Sequence, residues 1–110
     1  MNKKIYIIGP ASLVCSEHTK LFALTAHELE LIDFEPQHCM NDEAAHQHDK
    51  ATCIRHRINK MLQCNSCLVV PGFEADNIAE LELSTAIVSG MPIMYSATTV
   101  LPRKISFYVR

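Results

Sequence analysis

Apolar residues come in short blocks separated by turn residues, and those blocks predict the elements. Lys3 to Ile8 is apolar and β-branched and stops at Gly9-Pro10, which predicts a strand that breaks sharply into a loop, as central parallel strands do. Ser16 is placed to cap a helix running to about Glu30, with Leu21, Leu24, Thr25 and Leu29 near helical spacing. Leu31 to Phe34 reads as a second strand ended by Glu35-Pro36. From Gln37 to Lys50 periodicity is lost, and this longest loop is polar, with a helical turn expected at Glu43-Ala44-Ala45. Ala51 to Gln63 reads as a helix with Ile54, Ile58, Met61 and Leu62 inward and Arg55, His56, Arg57 and Lys60 mostly outward.

The stretch Ser66 to Tyr95 organises the rest. Cys67 to Val70 and Pro92 to Tyr95 are short apolar runs, the first bounded by Pro71-Gly72, with a helical segment of about twelve residues between them. The alternation in Ile105 to Val109 predicts a fifth strand at the sheet edge. Strand and helix alternate throughout. This pattern predicts an α/β, flavodoxin- or Rossmann-like three-layer fold with a mostly parallel sheet of about five strands in the order 2-1-3-4-5. Residues 1–110 read as one domain, and Gly9-Pro10 and Pro71-Gly72 should leave the sheet side by side at the reversal point, sharing one crevice.

Composition narrows the classes of partner. A formal charge of −2 with no basic patch argues against a nucleic-acid polymer, and no apolar run approaches a membrane span. The start of the chain lacks a signal-peptide cleavage pattern, so the expected address is cytoplasmic. Five cysteines, an odd number without regular spacing, read as reduced thiols. The set His38, Cys39, His46, His48, Cys53 and His56 invites a metal reading, but it contains no clean double pair of zinc ligands. His56 is explained by a solvated helix face and Cys64 and Cys67 by core thiols, so neither metal nor cofactor is expected. Arg55, Arg57 and Lys60 could approach a phosphate, and Ser12 and Ser16 could hold an anion, although turn and cap roles account for the two serines.

The acids of the third helix divide by role. Asn77 is a good N-cap, and Glu80 three residues later completes a capping box, while Asp76 is an alternative cap or a loop acid near the helix's positive end. Glu82 has no Lys or Arg three or four residues away, and it falls on a polar strip expected to face the crevice rim. Partly desolvated there, it would have a raised pKa and could serve as a nucleophile or base.

Two pieces, KKIYIIGP at Lys3 to Pro10 and CNSCLVVPGFEADNIAELELSTAIVSGMPIMY at Cys64 to Tyr95, resemble the nucleoside 2-deoxyribosyltransferase-like family, in particular a branch of short bacterial and phage proteins. Together they cover roughly a third of the chain in the family's order. The resemblance implies hydrolysis or transfer at the N-glycosidic bond of a deoxynucleoside or its monophosphate. Glu82 would be the nucleophile, Asp76 the acid/base or base-contacting group, and Tyr6 the residue holding the nucleophile or substrate. It further implies a substrate contact for Gly9, with Pro10, Asn65 and Gly72 lining the same site, and assembly into homo-oligomers. The chain departs from the family pattern at Asn65, where an aspartate is usual, at Ile78, where glycine is usual, and in the second helix, where acids are replaced by Arg or His. Those departures define the competing expectation, a non-catalytic nucleotide-binding or interaction protein that keeps the fold with a degenerate site.

Overall fold

Four successive apolar side chains, Ile5 to Ile8, are all buried, which only a strand covered on both faces allows. This strand, β1 (Lys3–Ile8), lies in the interior of a parallel sheet in the computed structural model, which describes residues 3–12, 14–40, 42–46 and 49–96. Its neighbours are β2 (Phe34–Gln37) on one side and β3 (Ser66–Val69) on the other, and β4 (Ile93–Tyr95) continues beyond β3, giving the order β2-β1-β3-β4. Register runs from Ile5 opposite Ser66 to Ile8 opposite Val69. The predicted parallel α/β topology is therefore present; the fifth strand expected at Ile105 to Val109 lies outside the described residues.

Three helices cover the sheet: α1 (Ser16–Leu31), α2 (Lys50–Leu62) and α3 (Asn77–Val88). Alternate residues of each strand point to opposite faces. Ile5, Ile7, Leu68 and Val70 join Phe22 and Leu29 of α1 in one core. Tyr6, Ile8, Cys67 and Val69 face the other way, onto Met61 of α2 and Ala79 and Ala86 of α3. Tyr6 is thus committed by strand alternation to the α2 and α3 side.

Several local expectations are corrected. The second strand is not Leu31 to Phe34 but begins at Phe34, because the helix continues through Leu31. Asp33 then takes a left-handed conformation (φ 67°) that closes the helix end, with its N–H donating to the Glu30 carbonyl. Leu31 and Ile32 are left exposed, and Pro36 is tolerated because β2 is the sheet edge among the described strands. Ser16 is the first helical residue of α1, not its cap; Cys15 occupies that position without a side-chain cap bond. In α2 the inward stripe is Cys53, Arg57 and Met61, at i, i+4 and i+8, while Leu62 is exposed. Helix α2 starts under an Asp49 cap that accepts from the Ala51 N–H and the Thr52 hydroxyl. The expected helical turn in the long loop is a 3-10 turn, Glu43–His46.

The two loops at the reversal point do meet. Gly72 is left-handed (φ 89°), and a β-carbon there would lie 3.5 Å from Pro10 Cγ. Gly9 is required by packing: a β-carbon would fall 2.5 Å from Val70 Cγ2 and 3.0 Å from Phe22 Cζ.

Candidate active site

Three elements bring polar groups to one buried point. The sheet-facing stripe of α3 is Ala79, Glu82 and Ala86, small residues flanking an acid, so the Glu82 carboxylate reaches the sheet under β1. From β1, the Tyr6 hydroxyl donates a hydrogen bond to Glu82 Oε2. From α2, Arg57 donates through Nη2 to Glu82 Oε1 at 2.8 Å and through Nε toward Oε2 at 3.4 Å, a fork on both carboxylate oxygens. Glu82 is 0% exposed, and Tyr6 and Arg57 are each 1% exposed, so this is a desolvated acid, deeper than the crevice rim its position in the helix suggests.

Arg57 also links Glu82 to a second acid. Its Nη1 donates to Ser12 Oγ at 2.9 Å and lies 3.5 Å from Asp76 Oδ2. The Ser12 N–H and hydroxyl both donate to Asp76, at 2.9 and 2.8 Å, fastening the loop after β1 to the start of α3. Asp76 Oδ1 in turn accepts from the N–H groups of Ile78 and Ala79, so Asp76, and not Asn77, caps α3. The capping box fails with it, and Glu80 is exposed. The reason is tertiary: only the Asp76 carboxylate can satisfy the helix end and Ser12 together while facing a guanidinium.

Burial pushes the Glu82 carboxyl above the ordinary glutamate range, with the Asp76 charge adding to the rise; Arg57 and the Tyr6 hydroxyl pull in the other direction. Burial and the Glu82 charge raise Tyr6 well above an ordinary tyrosine, so its phenol remains a proton donor. At Asp76 burial raises the carboxyl, but the Ser12 bonds, Arg57 and the Ala79 N–H outweigh it and hold it below the usual aspartate range. With both acids ionised, two carboxylates share one guanidinium, and the cluster keeps an excess negative charge.

Of the residues singled out in the sequence, Glu82, Asp76 and Tyr6 converge, and Pro10 and Gly72 meet at the loop ends beyond the strands. Gly9 has its packing explanation above. Asn65 does not join them. It precedes β3 at the opposite end of the sheet, where its side chain accepts from the Lys4 N–H and its own N–H donates to the Lys4 carbonyl. Arg57 was expected on the outer face and is instead the hub. Two signals pointed to it: a cation four residues from both Cys53 and Met61 on an apolar stripe, and an acid, Glu82, without a partner on its own helix.

A second cluster flanks the first. His56, expected on a solvated face, has Nε2 2.6 Å from Asp42 Oδ2, and Lys60 Nζ lies 3.2 Å from the same oxygen. Buried Cys39 has its Sγ 3.4 Å from the Tyr6 hydroxyl and groups with Asp42 and His56, their ligand atoms all within 4.8 Å of one another. His38 Nδ1 accepts from the Met40 N–H, and His46 Nε2 sits 3.1 and 3.0 Å from the Cys39 and Met40 carbonyls. His48 lies outside the described residues. The five cysteines are unbridged, and burial pushes Cys67 up to about 12. Among the described residues no helix is long and apolar enough to cross a membrane. No protein-family model matches this chain, and no curated protein or solved structure matches it either.

Proposed function

We propose that this chain acts on the N-glycosidic bond of a deoxynucleoside or deoxynucleoside monophosphate, as a hydrolase or transferase of the nucleoside 2-deoxyribosyltransferase-like kind, with Glu82 as nucleophile. The observation that carries the reading is the Glu82 carboxylate, held by Tyr6 and Arg57 beside a second acid, Asp76, with one more carboxylate than cation. An excess of negative charge in a desolvated site favours a transition state in which positive charge builds on the sugar.

In this reading a Glu82 oxygen attacks C1′ as the C1′–N bond breaks, and the departing base takes its proton from solvent. Water or a second base then attacks C1′ and gives up its proton to solvent as the ester bond to Glu82 breaks, and the carboxylate is restored. Tyr6 orients the nucleophile through its hydrogen bond. Asp76, held ionised, serves as an acceptor for an N–H of the base. Because Glu82 is fully covered, substrate binding must draw Arg57 off at least one carboxylate oxygen. Self-association and a cytoplasmic address rest on the resemblance and on composition, and belong to the same reading.

A second reading has its own support. Both Glu82 oxygens and both Asp76 oxygens already have partners within the protein, as in a cluster that only fastens α2, α3 and the loop after β1 together. The protein would then be a non-catalytic nucleotide-binding or interaction module. Release of free base from a panel of deoxynucleosides and their monophosphates separates the two. Catalysis requires release by the wild type that falls at least about 10³-fold in Glu82→Gln. Nucleotide binding without any release would establish the module.

A further inference from the structure

Cys39, Asp42 and His56 bring a thiol, a carboxylate and an imidazole within 4.8 Å of one another, the three donor types that zinc accepts. Two come from the β2–α2 connection and one from α2, so the set exists only in the folded chain. Its placement is graded: Cys39 is 1% exposed at the base, while the Asp42 and His56 side chains are 26% and 33% exposed, leaving a path from solvent. A cation, the Lys60 ammonium, already sits beside the set, 3.2 Å from Asp42 Oδ2. One Asp42 oxygen draws the His56 ring nitrogen and the Lys60 ammonium together.

We propose that Cys39, Asp42 and His56 form a binding site for a thiophilic divalent cation, zinc being the natural occupant, separate from the glycosidic chemistry. Three protein ligands leave a fourth tetrahedral position for water or a small anion. On binding, the Cys39 thiol proton leaves to solvent, His56 coordinates through Nε2 and keeps its ring proton on Nδ1, and Lys60 swings out on its flexible stem. Thiolate and carboxylate together balance the charge of the ion. The site adjoins the first cluster through Cys39, whose sulfur lies against the Tyr6 hydroxyl.

The test is anaerobic titration of the full chain with Co²⁺, read by the near-ultraviolet thiolate-to-cobalt band, followed by displacement with Zn²⁺. One cobalt per chain is expected, with the band absent in Cys39→Ser and affinity lowered at least about tenfold in His56→Gln and Asp42→Asn. The band should persist in Cys64→Ser, which removes a partly exposed thiol outside the set. If Cys39→Ser fails to fold, the two partly exposed ligands carry the test. A wild type without the band, a band surviving Cys39→Ser or lost in Cys64→Ser, or unchanged affinity in both His56→Gln and Asp42→Asn overturns the site. None of these readouts depends on glycosidic activity.

Discussion

Helix α2 supplies cations to two acids, and the two meetings differ in almost everything but charge. On its inner face Arg57 meets Glu82 where neither side chain is more than 1% exposed. One residue away His56, and one turn on Lys60, meet Asp42 where each side chain keeps a quarter to a third of its exposure. At the first site water cannot replace a lost partner. Removing one member strands a charge in the interior, at a cost of about 3–5 kcal/mol. At the second site solvent takes over, and an ion pair is worth up to about 1 kcal/mol. Position along a helix says little about what a charged residue does; the depth to which its neighbours bury it decides.

The largest expected effect follows directly. Arg57→Met should lower unfolding free energy by about 3–5 kcal/mol in urea, because Glu82 is left buried without its fork. Adding Glu82→Leu should recover much of that loss, so the double variant is more stable than the sum of the singles by at least about 1 kcal/mol. Additive losses would show that the pair is not the coupled unit its geometry describes.

Next in size is Asp76→Ala, which removes the α3 cap, both Ser12 bonds and the contact with Arg57, for about 2 kcal/mol. Its pH signature has a definite sign. The folded-state value of Asp76 lies below the unfolded one, so its contribution is complete above about pH 4 and disappears as pH falls through the folded value. Glu82 runs the other way: raised in the fold, its contribution is complete below the unfolded glutamate value and is lost as pH rises through the folded one. Stability measured down to about pH 2 should therefore show a flatter acid limb in Asp76→Ala than in wild type. An unchanged limb would remove Asp76 from the account of acid sensitivity.

The smallest effect belongs to the outer cluster. Asp42→Asn in the metal-free protein should cost no more than about 1 kcal/mol, shrinking as salt is added. A loss as large as that of Arg57→Met would erase the contrast between the two clusters.

Much of the scaffold was legible in residue order. Buried runs at Ile5 to Ile8 and Cys67 to Val70, the breaks at Gly9-Pro10 and Pro71-Gly72 and the intervening helical spacing are local signals, and the parallel topology follows from them. The misplaced second strand shows the limit: Leu31 and Ile32 have strand-like side chains, yet Asp33 in the left-handed region ends a helix that had already included Leu31. At the candidate site, Glu82 stood out as an acid without a local partner, whereas Tyr6 entered only through the family resemblance of Lys3 to Pro10. The partner of Glu82 was read as facing outward, because Arg57 lies 25 residues from Glu82 and shares its helix with Arg55 and Lys60; only its four-residue spacing from Cys53 and Met61 set it apart.

The sequence by itself determined the order of strands and helices and the presence of acids at the start and middle of the third helix, because turn chemistry and side-chain period act over a few residues. Only the tertiary structure decided that Arg57 turns inward, that Asp76 displaces Asn77 as the cap, and that Cys39, Asp42 and His56 share one place. Those outcomes depend on desolvation and hydrogen-bond partners supplied by segments distant in the chain, and a charge has no fixed burial until those segments close around it.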